Sequence, residues 1–123
     1  MFTDRVESKW IDTFSSVFEY CKLSTGDTAA ILSETQSREL NVHLAELALH
    51  RLGVQAFHIK LVSPKQTAPV PVRSTGASVA VNGLGPVVAA LSRSTIVVDC
   101  TVEGLLHAPE LPSILKEGAR LLM

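Results

Sequence analysis

At 123 residues and a formal net charge of −1, the chain suits one hydrophobic core rather than two, and it lacks the basic stripe that a nucleic-acid partner requires. An apolar fraction of 46% with 19% charged residues excludes a disordered chain, and the apolar runs are far shorter than a bilayer span. Cys21 and Cys100 stand alone, and no basic segment leads into an apolar run at the N-terminus, so the composition points to a soluble, cytoplasmic protein without a disulfide scaffold or signal peptide.

The first expected element is a helix from Asp4 to Cys21, capped by Thr3 or Asp4. Val6, Trp10, Phe14, Val17, Phe18 and Cys21 recur at spacings of three and four, and the stripe is expected to lay Trp10, Phe14 and Phe18 on a sheet. After a turn at Ser24–Asp27, the uninterrupted run Thr28–Ser33 suits a strand covered on both faces, as in a parallel sheet. Polar Glu34–Ser37 offers cap residues for a second helix marked by Leu40, Leu44, Leu47, Ala48 and Leu52 and closed by Gly53. Val54–Val62 alternates as a second strand, with Phe57, Ile59 and Leu61 on one side and Ala56, His58 and Lys60 on the other.

Ser63–Gly76, with Pro64, Pro69 and Pro71, has no period and is expected to be an exposed loop. Asn82–Pro86 leads into a third helix ending near Ser92, and Thr95–Cys100 is a third buried strand. Leu111–Glu117 is a fourth helix ending at Gly118, and Ala119–Met123 starts a fourth strand. Because a chain rarely stops inside an apolar strand, the sequence is expected to be the N-terminal fragment of a longer two-domain protein, with residues 1–123 forming its single α/β domain.

This alternation implies an α/β fold: a doubly wound, mostly parallel four-stranded sheet with helices on both faces, Rossmann-like or flavodoxin-like. With a sheet order of 2-1-3-4, the chain reverses direction between strands 1 and 3, where such folds gather ligands. Ser33–Glu34 and Asp99–Thr101 would line that crevice, and the following segment brings His107 close to it. An imidazole there suits general acid–base work; it equally suits a loop residue packed near the fourth helix. Asp99, at a strand end, can be catalytic or can cap the following turn. His43 and His50 are two helical turns apart, too far to share a metal, and His58 reads as a sheet-surface residue. Gly83-Leu84-Gly85 before a helix is a faint echo of a phosphate loop and reads more readily as a tight turn. No metal ligand set falls into a recognisable pattern.

Ser94–Asp99, Leu105-Leu106-His107-Ala108-Pro109-Glu110 and Ile114–Leu122 resemble the 2,5-dihydroxypyridine 5,6-dioxygenases of bacterial nicotinate catabolism, a family similar in turn to the M29-type aminopeptidases. Over Asp4–Leu61 the likeness is in the order of elements rather than in particular residues. The resemblance implies a non-haem Fe(II) enzyme that opens the pyridine ring with O₂ to give N-formylmaleamic acid. It also implies that the iron is bound outside this chain, by the C-terminal catalytic domain of the same polypeptide, so that this chain is inactive alone. By the same match His107 becomes the acid/base candidate and Leu106 a residue lining the pocket for a small aromatic substrate. A homo-oligomer, with no nucleic-acid or membrane partner, is expected. Two alternatives stand beside it: the corresponding domain of an M29-like metallo-aminopeptidase, and a free-standing interaction module that uses the Pro-rich loop.

Overall fold

The computed structural model describes residues 7–62, 84–101, 105 and 110–122. The elements in these residues are α1 (Ser8–Tyr20), β1 (Thr28–Glu34), α2 (Glu39–Arg51), β2 (Gln55–Leu61), α3 (Gly85–Ser92), β3 (Ile96–Asp99), α4 (Leu111–Leu115) and β4 (Arg120–Leu122). The Pro-rich segment 63–76, the Asn82-Gly83 turn, Leu106 and His107 lie outside the described residues.

The four strands pair in the order β2-β1-β3-β4, and every pairing is parallel. Ala30 stands between Phe57 and Val97, and Leu32 between Ile59 and Asp99. The chain steps outward from β1 to β2, returns across β1 to β3, and continues to β4. A constant right-handed crossover then requires α2 on one face and α3 and α4 on the other. The packing agrees. Ala29, Ile31, Ile96 and Val98 bury against Phe18 of α1 and Ala45, Ala48 and Leu49 of α2. Ala30, Leu32 and Val97 point the other way, into a core with Leu91 of α3, Ile114 of α4 and Leu105. The run Ala29–Leu32 is apolar at every position because alternate side chains feed two separate cores.

Both helices facing the first core end in the same hydrogen-bond pattern. In α2, Gly53 N–H donates to His50 O at 3.0 Å and Val54 N–H to Leu49 O at 3.0 Å, with Gly53 at φ +74°. A side chain at Gly53 would also meet Thr25 Oγ1 at 2.9 Å, so glycine is required there twice over. In α1 the left-handed position is held by Lys22 at φ +62°, while Lys22 N–H donates to Glu19 O at 2.8 Å and Leu23 N–H to Phe18 O at 3.3 Å. Phe18 and Leu23 are both buried, and this apolar contact across the cap offsets the strain of a non-glycine residue.

Some boundaries differ from the sequence expectation. α1 begins after Glu7, whose backbone is extended (φ −106°, ψ 142°), rather than at Asp4. Its buried face carries Ser15 and Phe18, whereas Trp10 and Phe14 are half-buried and Val17 is 43% exposed. α4 stops at Leu115, and a turn leads to Gly118. Among the described residues no helix is long and apolar enough to cross a membrane.

Candidate functional site

β1 and β3 lie side by side, yet the helices that follow them, α2 and α4, pack on opposite faces, so a crevice opens between their carboxyl ends. A cavity of about 580 Å³ occupies this end of the sheet. Phe14, Val17 and Val98 give it an apolar side, and Ser37, Arg38 and Asn41, around the start of α2, give it a polar one. The volume falls within the range of small-ligand pockets, which are mostly apolar with a few polar groups.

One hydroxyl spans the crevice. Ser37 Oγ accepts a hydrogen bond from Glu34 N–H at 2.8 Å and donates to Cys100 O at 2.6 Å, so it ties the ends of β1 and β3 together. Cys100 N–H in turn donates to Leu32 O at 2.8 Å. The sequence offered Glu34–Ser37 as a source of cap residues for α2. The N-cap of α2 is instead Arg38, which makes no side-chain cap bond, and this leaves the Ser37 hydroxyl to the crevice.

Asp99 is 7% exposed and has both carboxylate oxygens engaged. Oδ1 accepts from Thr101 N–H at 3.0 Å and Thr101 Oγ–H at 2.5 Å, and Oδ2 accepts from Leu105 N–H at 2.6 Å. Of the two readings open for Asp99, the cap is the one built into the structure. The neighbouring Cys100 thiol is pushed up to about 11, first by burial and then by the negative charge of Asp99. At neutral pH it is a protonated thiol and a poor nucleophile.

His107 and Leu106 lie outside the described residues, but the residue just before them does not. Leu105 is fully buried in the core with Leu91 and Ile114, and its amide is held by Asp99. Leu105 opens the Leu-Leu-His segment of the resemblance, but periodicity did not mark it as a core residue, because one leucine in a loop carries no period.

Ser33 and Glu34, expected to line the crevice with Asp99–Thr101, instead border an adjoining cavity of about 300 Å³ with His43, Glu46 and His58, which meets the crevice at Ser37. His58 Nε2 lies 2.5 Å from Glu46 Oε1 on the exposed side of β2, His43 is half-buried and His50 exposed. Among the described residues no three His, Cys, Asp or Glu side chains are placed to hold a metal ion. A second groove, of about 740 Å³, runs between α3 and α4 and is lined by no strand residue. Gly85, from the Gly-Leu-Gly sequence, has open space where a Cβ would stand, so no close backbone approach demands a glycine there.

The family model for 2,5-dihydroxypyridine 5,6-dioxygenase (NicX) matches residues 9–123. Among solved structures, the 2,5-dihydroxypyridine dioxygenase from Pseudomonas putida KT2440 is similar with a TM-score of 0.83 and 25% sequence identity over 97% of this chain. The match spans 35% of that protein's length. No curated protein matches the chain.

Proposed function

Because the chain belongs to the 2,5-dihydroxypyridine 5,6-dioxygenase family, we propose that it is the N-terminal domain of a ring-cleaving dioxygenase, one that opens 2,5-dihydroxypyridine with O₂ to N-formylmaleamic acid. The observation that carries this reading is the family match over residues 9–123, a range that includes the crevice residues and the Leu-Leu-His-Ala-Pro-Glu segment.

The described residues offer no ligand set for an ion. In this reading Fe(II), bound by the C-terminal domain of the same polypeptide, supplies the oxygen chemistry when present. This chain contributes a wall and a proton acceptor. A dihydroxypyridine becomes a better ligand once a ring hydroxyl is ionised, and the His107 imidazole takes that proton, its ordinary pKa lying near neutrality. Leu106 lines the pocket beside it, and the apolar side of the crevice excludes water. Small-ligand sites commonly sit between domains, which is where such a wall belongs.

The division of labour has a direct test. The isolated chain, purified metal-free and then supplied with Fe(II), is expected to hold substoichiometric iron and to leave 2,5-dihydroxypyridine intact, while the full-length polypeptide turns it over. Stoichiometric iron or ring opening by the isolated chain would overturn the assignment of iron to the other domain.

A further inference from the structure

The crevice between β1 and β3 is larger than a single ring requires. A cavity of about 150 Å³ already takes up a benzene-sized ligand, whereas this one holds about 580 Å³. Its apolar side is formed by Phe14 and Val17 of α1, Val98 of β3 and Leu122 of β4. Val17 is 43% exposed, and Phe14 and Leu122 are only half-buried, so apolar surface stays open to water there. Arg38 stands on the opposite side, exposed and with no carboxylate partner among the described residues. Part-covered aromatic and aliphatic side chains beside an unpaired arginine have the composition of a protein–protein contact centre.

We propose that this groove is the docking surface for the C-terminal domain of the same polypeptide, which seats an apolar ridge on Phe14 and Val17 and brings an acidic group to Arg38. This rests on the two-domain reading above. Length and geometry favour that occupant. The match to the Pseudomonas putida protein spans 35% of its length, so most of that chain lies outside the matched part. Leu122 of β4 belongs to the groove wall, so polypeptide that follows β4 begins beside the groove and meets it at a high effective concentration. A tethered domain therefore needs less buried area than a free partner would. A second copy fits less well, because a twofold dimer presents the same patch on both subunits and one concave groove does not fill another. A dihydroxypyridine ring alone leaves most of the space unfilled.

The test uses the full-length polypeptide with the photo-cross-linking residue p-benzoylphenylalanine in place of Val17, and the adducts are mapped by peptide mass spectrometry. The expected adduct is intrachain, joins position 17 to residues beyond 123, and keeps its yield on dilution. Adducts between two chains that fade on dilution would give the groove to a second copy and overturn the proposal. Adducts confined to residues 1–123, or none at all, would overturn it as well, since the groove would then be covered by its own domain or left open. Loss of the adduct on adding 2,5-dihydroxypyridine would give the groove to the substrate instead. Should the Val17 variant fail to fold, the same probe at exposed Asn41, on the polar side of the groove, is read by the same outcomes. Turnover of the unmodified polypeptide with Fe(II) separates the two readings. Adducts to the C-terminal domain without ring opening would overturn the dioxygenase reading and keep the docking surface, and ring opening without such adducts would do the reverse.

Discussion

Cys100 sits where a reactive thiol would be easy to imagine, at a strand end beside a crevice, and its surroundings make it the opposite. Burial and the adjacent Asp99 raise its thiol from 9.0 to about 11, so the thiolate fraction near pH 8 is about a hundredfold below that of a free cysteine. Peptide mapping after brief iodoacetamide treatment at pH 8 should find Cys100 alkylated far more slowly than glutathione in the same tube; comparable rates would contradict the burial. The same shift has a stability consequence. Below pH 9 both folded and unfolded chains hold the proton, and the stabilisation is fully present; between about 9 and 11 the unfolded chain alone releases it, so stability falls as pH rises. A Cys100→Ala variant should lose less stability than the parent across that interval. At this scale the sequence was only partly legible. Residue type and strand-end position marked Asp99 as a candidate, but its partners, Thr101 and Leu105, become visible only when the loop is folded back on the strand. Ser37 has the composition of a helix cap, and its bond across to Cys100 joins residues far apart in sequence that no local pattern could pair.

Among the elements, α1 shows how far periodicity reaches. A three- and four-residue spacing announces a helix, yet several neighbouring faces of that helix are apolar enough to be the buried one. Tertiary packing chooses Phe18 and Ser15 and leaves Phe14 half-buried at the cavity. The two rings meet edge to face, 6.5 Å apart at 75°. Phe18→Ala should therefore cost about 3–5 kcal/mol, through lost transfer energy and an uncollapsed cavity. Phe14→Ala should cost about 1–2 kcal/mol, since part of its ring already faces the cavity. Denaturant unfolding of the two variants checks the order, and equal losses would mean that the crevice is closed in solution. The strands were read more surely than the helix faces. Uninterrupted runs at Thr28–Ser33 and Thr95–Cys100 are too short for most helices and suit burial on both sides, while a helix stripe can turn without breaking its period.

For the molecule as a whole, alternating strand and helix patterns called for a parallel sheet, while the order 2-1-3-4 was one of several that right-handed crossovers permit and is the one observed. The crevice between β1 and β3 followed from that order, because direction reverses there. What the pattern could not supply is the chemistry, since spacing alone left His107 divided between a proton acceptor and a packed loop residue. Only the resemblance of the Leu-Leu-His segment turns that residue into a proposed proton acceptor. Turnover and iron content of the full-length His107→Ala variant test the central claim most directly. Turnover of 2,5-dihydroxypyridine at neutral pH should fall by about a hundredfold, as expected for the loss of a general acid/base group, with iron content unchanged. His107→Gln, which keeps a hydrogen bond but exchanges no proton near neutrality, should be almost as slow. Normal turnover in His107→Ala would contradict the acid/base role, and loss of iron would make His107 a ligand and contradict the division of labour between the domains.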